Sequence, residues 1–395
     1  MKVVLVSSFP AFPTSAGNRS RIRQLAAAVR ELGHELTFVY LESPWEACDD
    51  TAHEASFGSF VRIPRKHWRL KWARDVLVGG VKRVLRLAGV DAAHYSRLDR
   101  FRDRGFLAAL RALQLRPDAV IVEYVLDSWA FAAFPASARR VLDTHDAFGD
   151  RHRTYVERGI RDYWISLRPG SENAGLRRAH VVLAIQEEEA RRFREQLAGD
   201  GAADNPEVAV VGHLLALGEV RANHSIDHVA VFIASDNPAN RHAADGLLRD
   251  ILPRVLREMP AFELRLAGSI CRAVPDTPNV TKLGWVEDLA AVFARAPLSV
   301  NPMQAGTGIN IKLLESMAAG VPTVSTATGA RGLPESALAG VFVVPDHDPQ
   351  AFAQAVIRFA SDAALRRQTG QAAREQAARL NARQLAQLDR ALGGN

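Results

Sequence analysis

Between Gly306 and Pro322 the chain reads G-T-G-I-N-I-K-L-L-E-S-M-A-A-G-V-P. Gly306 and Gly308 let backbone amides approach a ligand with no side chain in the way. Asn310 can cap the helix that follows. A helix start offers free amides and the positive end of a dipole, which together make an anion site. Lys312 lies in the first turn, where the dipole disfavours a cation by about 0.3–1 kcal/mol. That placement makes sense if an anion sits there. Glu315 follows about 7 Å further on at ~1.5 Å per residue. The spacing suits a ligand with phosphates at one end and a hydroxylated sugar behind them. Gly320 and Pro322 stop the helix. An ordinary strand–loop–helix would use the same residues, with Lys312 and Glu315 as a surface pair. Glu preceding Lys is the favourable order for such a pair, and here the order is reversed.

Other residues carry weaker signals. His145 follows a short apolar run and is flanked by Asp143 and Asp146, either of which could orient it. In an open parallel sheet, ligands gather at the carboxyl ends of strands, where His145 and the 8–18 loop with Gly17 would lie. That loop holds no G-x-G-x-x-G, which weakens a dinucleotide reading. His224 and His228 are four apart, but no third metal ligand is evident nearby. Cys48 and Cys271 are far apart in sequence and read as two buried thiols.

The elements that must position these groups form two series. Residues 2–7, 36–40, 119–123, 140–142 and 181–185 are short apolar runs, with a helix pattern over 19–32. Residues 229–234, 263–267, 281–283, 298–301, 323–326 and 341–344 repeat the logic. Helical patterns cover 242–258, part of 286–295, 350–360 and 362–392. Continuous apolar strands separated by helices imply parallel sheets covered on both faces. The segment 214–227 is the expected link between the two series.

The stretch N-P-M-Q-A-G-T-G-I-N-I-K-L-L-E-S-M-A-A-G-V-P-T-V-S-T-A-T-G-A-R-G-L, from Asn301 to Leu333, resembles the donor-binding motif of the family 4 retaining glycosyltransferases of GT-B fold. N-P-A-N at Asn237–Asn240, L-A-G ending at Gly268 and L-G-W-V-E-D-L from Leu283 follow the same family in order. The resemblance implies an α/β GT-B fold, two Rossmann-like domains facing across a cleft. Its domains would be 1–215 on the acceptor side and 216–376 for the nucleotide-sugar, with a helix at 377–395 returning to the first. It implies sugar transfer from a nucleotide-sugar to a hydroxyl acceptor (glycan, glycolipid or small molecule) with retention at the anomeric carbon. Gly17, Gly306, Thr307, Gly308, Ile309, Asn310 and Glu315 would bind the donor. Glu315 would hold the ribose, and Lys312 and Arg241 would stabilise the departing diphosphate. His145 would contact the donor sugar near the reacting carbon. Much of the family has a second glutamate where this chain has Thr307, and Asn240-Arg241-His242 replaces a common Lys-Gly pair. A catalytically silent nucleotide-sugar-binding partner, a sugar-nucleotide 2-epimerase or a phosphorylase of similar architecture are the alternatives.

Bulk properties agree with two domains: 395 residues, 48% hydrophobic and 24% charged. The net charge of +6 and pI near 9.6 favour anionic partners. Residues 1–6 read as a strand, and no run reaches the ~20 apolar residues of a membrane span. A cytoplasmic protein, or one peripheral on the cytoplasmic membrane face, is expected. From Arg62 to Arg104 there are thirteen Lys or Arg against four Asp, with Trp68, Trp72, Leu77 and Val81 interleaved. Such a stretch is either a solvated helical insertion or a surface for anionic lipid. No nucleic-acid recognition motif accompanies it. No cofactor and no metal are expected, since no convincing set of metal ligands stands out in the sequence.

Overall fold

The computed structural model describes residues 1–14, 16–65, 68–157, 163–202, 204–218, 223, 225–286, 289–305, 310–333 and 337–394. They form two compact units, Met1–Leu214 with Gln384–Asn395, and Leu215–Arg383.

The first unit is built on seven parallel strands: β1 (Lys2–Ser7), β2 (Glu35–Leu41), β3 (Ser59–Ile63), β4 (Ala119–Glu123), β5 (Arg139–Asp143), β6 (Val181–Ala184) and β7 (Glu207–Val210). Their spatial order is β3-β2-β1-β4-β5-β6-β7. The chain winds outward one way from β1 and the other way from β4, so β1/β4 is the switch point where strand ends open toward a ligand. Helices cover both faces. On one, Ile22, Leu25 and Val29 of the helix Gly17–Glu31 pack on β1 and β2. On the other, Phe106, Trp129 and Phe193 pack on β4 and β6. Each fully buried side chain of this size contributes about 1.5–3 kcal/mol. The edge strands β3 and β7 were not picked out in the sequence: Arg62 breaks the apolar run of β3, while β7 was missed despite its unbroken run Val208-Ala209-Val210.

The second unit has six parallel strands: β8 (Val229–Ile233), β9 (Glu263–Ala267), β10 (Val280–Gly284), β11 (Ser299–Asn301), β12 (Thr323–Thr326) and β13 (Val341–Val344), in the order β10-β9-β8-β11-β12-β13. Its switch point is β8/β11. The helix expected over 242–258 is interrupted by a π-helical turn, Leu247–Ile251, before the segment Leu252–Glu258. Pro253 explains the break: it has no N–H to give, and its ring crowds the carbonyl one turn back. The long helix Ala363–Leu392 contributes Ala373 and Ala377 to the second unit's core. Its end, through Leu388, Ala391 and Leu392, packs into the first unit's core, and Arg139 Nε donates to the Ala391 carbonyl at 2.6 Å. Among the described residues no helix is long and apolar enough to cross a membrane.

The turn after β9 depends on Gly268. Its φ is +99°, and an added Cβ would fall 2.2 Å from the Ala234 carbonyl oxygen. Both atoms of that clash belong to strand ends and cannot swing away. Gly268→Ala should therefore cost roughly 2–3 kcal/mol. Urea unfolding of the variant checks this, and a midpoint equal to wild type would contradict it.

Candidate functional site

In the first unit, four groups converge at the carboxyl ends of β4 and β5. Glu123 ends β4 and Asp143 ends β5, and the two are register partners, so their side chains lie side by side. Arg21, from the second turn of the helix after β1, reaches across to them. Its Nε and Nη2 grip both oxygens of Asp143 at 2.7 and 2.5 Å. The same guanidinium donates to the carbonyls of Gly212 and Val211, at 2.7 and 2.8 Å. Arg21, Asp143 and Glu123 are all buried. Burial opposes Arg21's charge, but Asp143 outweighs it and raises the pKa. Burial likewise pushes Asp143 up, and Arg21 with His145 pulls it below its ordinary value. Burial, then the neighbouring Asp143, raise Glu123 well above a normal glutamate, and Arg21 offsets only part of this.

His145 stands over this cluster. Its φ is +58° and that of Tyr124 is +67°, both left-handed positions that side chains other than glycine seldom take. The two rings stack with centroids 4.1 Å apart and planes 10° from parallel. Tyr124 donates its amide to the Asp143 carbonyl at 2.7 Å, and Thr144 donates its hydroxyl to the Leu183 carbonyl at 2.9 Å. These bonds hold the strained segment. The His145 Nε2 atom contacts Glu123 Oε2 and lies 3.4 Å from Asp143 Oδ2. Burial lowers the imidazole to about 4, so the ring is neutral near pH 7.

Of the two orienting residues read from the sequence, Asp143 touches the ring. Asp146 does not: it pairs with Arg151 at 2.6 Å. The closest contact is from Glu123, which sequence reasoning missed. The signal was there, an acidic residue closing the otherwise apolar run A-V-I-V-E. Gly17 is the exposed first residue of its helix, whose start has no side-chain cap. Ligand atoms of Glu123, Asp143 and His145 lie within 4.8 Å of one another, close enough for a metal ion. The donor set does not fit one, because Arg21 already occupies both oxygens of Asp143 and would repel a second cation.

In the second unit the site residues sit beyond β11. Asn310 Oδ1 accepts from the amides of Lys312 and Leu313, at 3.1 and 3.4 Å, so it caps the helix Ile311–Ala318 as its type predicts. Its own Nδ2 donates to Asn301 Oδ1 at 2.6 Å. Asn301 Nδ2 in turn donates to Ser325 Oγ and the Gly329 carbonyl, both at 3.0 Å. Gly329 must be glycine, since a Cβ there would come within 2.6 Å of Asn301 Nδ2 and Ser325 Oγ. This network, absent from the sequence reading, fixes where the helix begins.

Lys312 Nζ is 2.8 Å from Glu315 Oε2, so the surface pair that the residue order argued against does form. A one-turn separation lets the long lysine chain fold back along the helix even in the less favourable order. Arg241 follows β8 on the helix Pro238–Gly246 and grips Asp236 through Nε and Nη2 at 2.5 and 2.9 Å. Gly306, Thr307, Gly308, Ile309 and His224 lie outside the described residues.

Residues 227–362 match the model of a family described as group 1 glycosyl transferases. An exopolysaccharide phosphotransferase of Streptomyces coelicolor is 25% identical over 229 residues, 55% of this chain. The match spans only 24% of that relative's length. Among solved structures, HepE of Anabaena in complex with UDP is similar with a TM-score of 0.60 and 14% identity, covering 97% of this chain and 98% of that one. The sucrose-phosphate synthase of Thermosynechococcus elongatus gives 0.62 and 17%, covering 99% and 98%. These likenesses, with the two parallel sheets, make the fold GT-B with two Rossmann-like domains.

Glu189, near Asp146 and Asp143, yields a pH prediction. Burial, then Asp146, raise it to about 7, whereas an unfolded glutamate titrates near about 4.3. Its folded pKa is the higher one, so stability falls as pH rises from about 4 to about 7 and stays lower above. Glu189→Gln escapes that loss. It should be more stable than wild type by about 2–4 kcal/mol at pH 8 and equal to it below pH 4. Denaturant unfolding at both pH values decides; equal stability at pH 8 would refute the burial of this carboxyl.

Proposed function

We propose that the protein is a family 4 glycosyltransferase. It moves a sugar from a nucleotide-sugar to a hydroxyl acceptor with retention of anomeric configuration. The observation that carries this assignment is the helix start at Asn310. It is capped, braced by Asn301, and followed by Lys312 and Glu315 within the segment matching group 1 glycosyl transferases. HepE, of the same fold, is known in complexes with UDP, with UDP and glucose, and with UDP-glucose.

In this mechanism the amides of 306–309 and the helix dipole receive the diphosphate, and Lys312 offsets the charge that grows as it departs. Arg241 is paired with Asp236 as Lys312 is with Glu315, and each would exchange that exposed contact for a phosphate. Glu315 accepts from the ribose hydroxyls, releasing its hold on Lys312 to the phosphates. Gly17 and His145 serve the donor from the first unit, His145 as a neutral hydrogen-bonding group. No metal is required, because amides and cations supply the positive charge. The leaving phosphate oxygen takes the acceptor proton. Closure around the substrates would exclude the water that otherwise hydrolyses the donor.

A silent donor-binding partner is the second reading, favoured by Thr307 where much of the resembled family has a glutamate. The named activity of the Streptomyces relative adds a third product to look for. Sugar transfer releases a nucleoside diphosphate, sugar-phosphate transfer releases a monophosphate, and a silent partner releases neither. Thermal shift with UDP, GDP, ADP, CMP, dTDP and their sugars finds the donor; about 2.7 kcal/mol of stabilisation is expected at 100 times Kd. Glu315→Ala should then weaken nucleotide binding about 10–100-fold, the worth of a charged hydrogen bond. Lys312→Ala should lower kcat roughly 100-fold, with little loss of stability because its side chain is 42% exposed. Wild-type behaviour in both variants would sink the assignment.

The acceptor side carries a lipid-facing helix in this proposal. Leu77 and Leu87 of the helix Trp68–Leu87 are 71% and 75% exposed, and Val81 and Val84 are also bare. Arg83 is exposed among them, whereas Lys82 and Arg86 turn inward and donate to the Tyr95 and Ala93 carbonyls. Apolar side chains between cations suit an anionic bilayer on the cytoplasmic face. At about 1 kcal/mol per basic residue, reversing Arg83 to Glu should cut flotation with anionic vesicles roughly five- to tenfold. Binding indifferent to lipid charge would exclude this surface.

A further inference from the structure

We propose that Glu123 is a positioning residue: its buried carboxyl group holds His145 through Nε2 and leaves the ring presenting a neutral Nδ1–H as its outward donor. The role of His145 at the donor rests on the function proposed above, whereas its tautomer does not.

The geometry assigns the two nitrogens different tasks. Nε2 faces inward, against Glu123 Oε2 and within 3.4 Å of Asp143 Oδ2. Nδ1 has no partner among the described residues and is not one of the buried unsatisfied atoms, so it is the ring's accessible nitrogen. Stacking on Tyr124 fixes the plane of the ring, and the contact with Glu123 sets which nitrogen faces inward.

Charge then locates the proton. Arg21 and Asp143 cancel each other in a bidentate pair. An ionised Glu123 beside a neutral His145 would leave one uncompensated negative charge buried in the cluster, which is costly. Glu123 Oε1 is also buried without a partner. A bare carboxylate oxygen loses far more by that isolation than the carbonyl oxygen of a neutral acid. A carboxylate beside an imidazolium would also balance the charge, but it would keep that bare buried oxygen, so the uncharged pair is favoured, with Glu123 donating its O–H to Nε2. The one ring proton must then sit on Nδ1. Arg21, Asp143, Tyr124, Asp146 and Glu189 surround the pair, and none of the cations among them touches Glu123 within salt-bridge distance among the described residues. A neutral donor fits a group that must hydrogen-bond a sugar hydroxyl without placing a full cation beside a reacting carbon that itself turns positive.

The test uses the full chain labelled with ¹⁵N-histidine, with the His145 signals assigned by their loss in His145→Gln. Multiple-bond ¹⁵N–¹H spectra at pH 7 distinguish the Nδ1–H tautomer, the Nε2–H tautomer and the imidazolium. The Nδ1–H tautomer is expected in wild type. It should persist in Glu123→Gln, whose amide N–H donates to Nε2 in the same way. Glu123→Leu should give a mixture. Once a donor is identified, Glu123→Leu should lower kcat roughly 100-fold and Glu123→Gln restore most of it, with nucleotide affinity within about threefold in both as a check on folding. An imidazolium or an Nε2–H tautomer in wild type would overturn the proposal, as would Glu123→Gln failing as badly as Glu123→Leu. A chain with no transferase activity but the Nδ1–H tautomer would overturn the function and leave the hydrogen bond standing.

Discussion

The first unit's site depends on one buried ion pair. Arg21 belongs to the helix after β1, Asp143 to the end of β5, and Val211 and Gly212 to the segment after β7. A single guanidinium thus ties three separate pieces of chain to one point on the sheet. Buried ion pairs often contribute little net stability, because desolvating both charges offsets their attraction. Losing one partner is another matter: it strands the other charge and costs about 3–5 kcal/mol. The pair acts as a positional constraint more than as a source of stability. Strand ends at a switch point are free to splay, and here they are pinned. The strained residues Tyr124 and His145 lie directly on the pinned ends, and strain of about 1–3 kcal/mol per residue survives only where its surroundings are fixed.

The second unit solves the same problem without charge. Asn301, Asn310, Ser325 and the Gly329 carbonyl form a closed chain of neutral hydrogen bonds from β11 to the helix start. Amide side chains serve because each offers a donor and an acceptor at once. Asn310 uses its oxygen to cap and its nitrogen to anchor. A charged residue at that position would meddle with whatever the helix end attracts: a carboxylate would compete with an anion. An uncharged brace leaves the positive end of the helix dipole uncompensated by any side chain of the network.

Much of this was legible in the sequence. Apolar runs in a covered parallel sheet are strong signals, and the central strands stand within a residue or two of where their patterns put them. Asn310 announced its role as a cap by residue type and by the run that follows. The edge strand β3 escaped because Arg62 breaks its apolar run. The π-turn escaped because a helical period hides an inserted residue, although Pro253 marked the place. Glu123 was invisible for a different reason. Its partners are Asp143 and His145, some twenty residues away, and only the parallel register of β4 against β5 sets them side by side. Arg21 is more remote still, 122 positions from the carboxylate it grips. Local patterns find elements, but contacts across a switch point are products of topology.

The Lys312–Glu315 pair shows why residue order alone misleads. The helix dipole penalises a lysine in the first turn, and the order of the two residues offers little to compensate. Yet the lysine is there and finds the only carboxylate one turn away on its own helix. The contact is exposed, and pairs of that kind are worth between nothing and about 1 kcal/mol. An interaction that weak cannot be what places two charged residues at a braced helix start. It can be exchanged at small cost when a phosphate offers Lys312 a stronger partner and hydroxyls offer Glu315 donors. A pair too weak to stabilise the fold leaves both side chains free to change partners, as the proposed donor site would require of them.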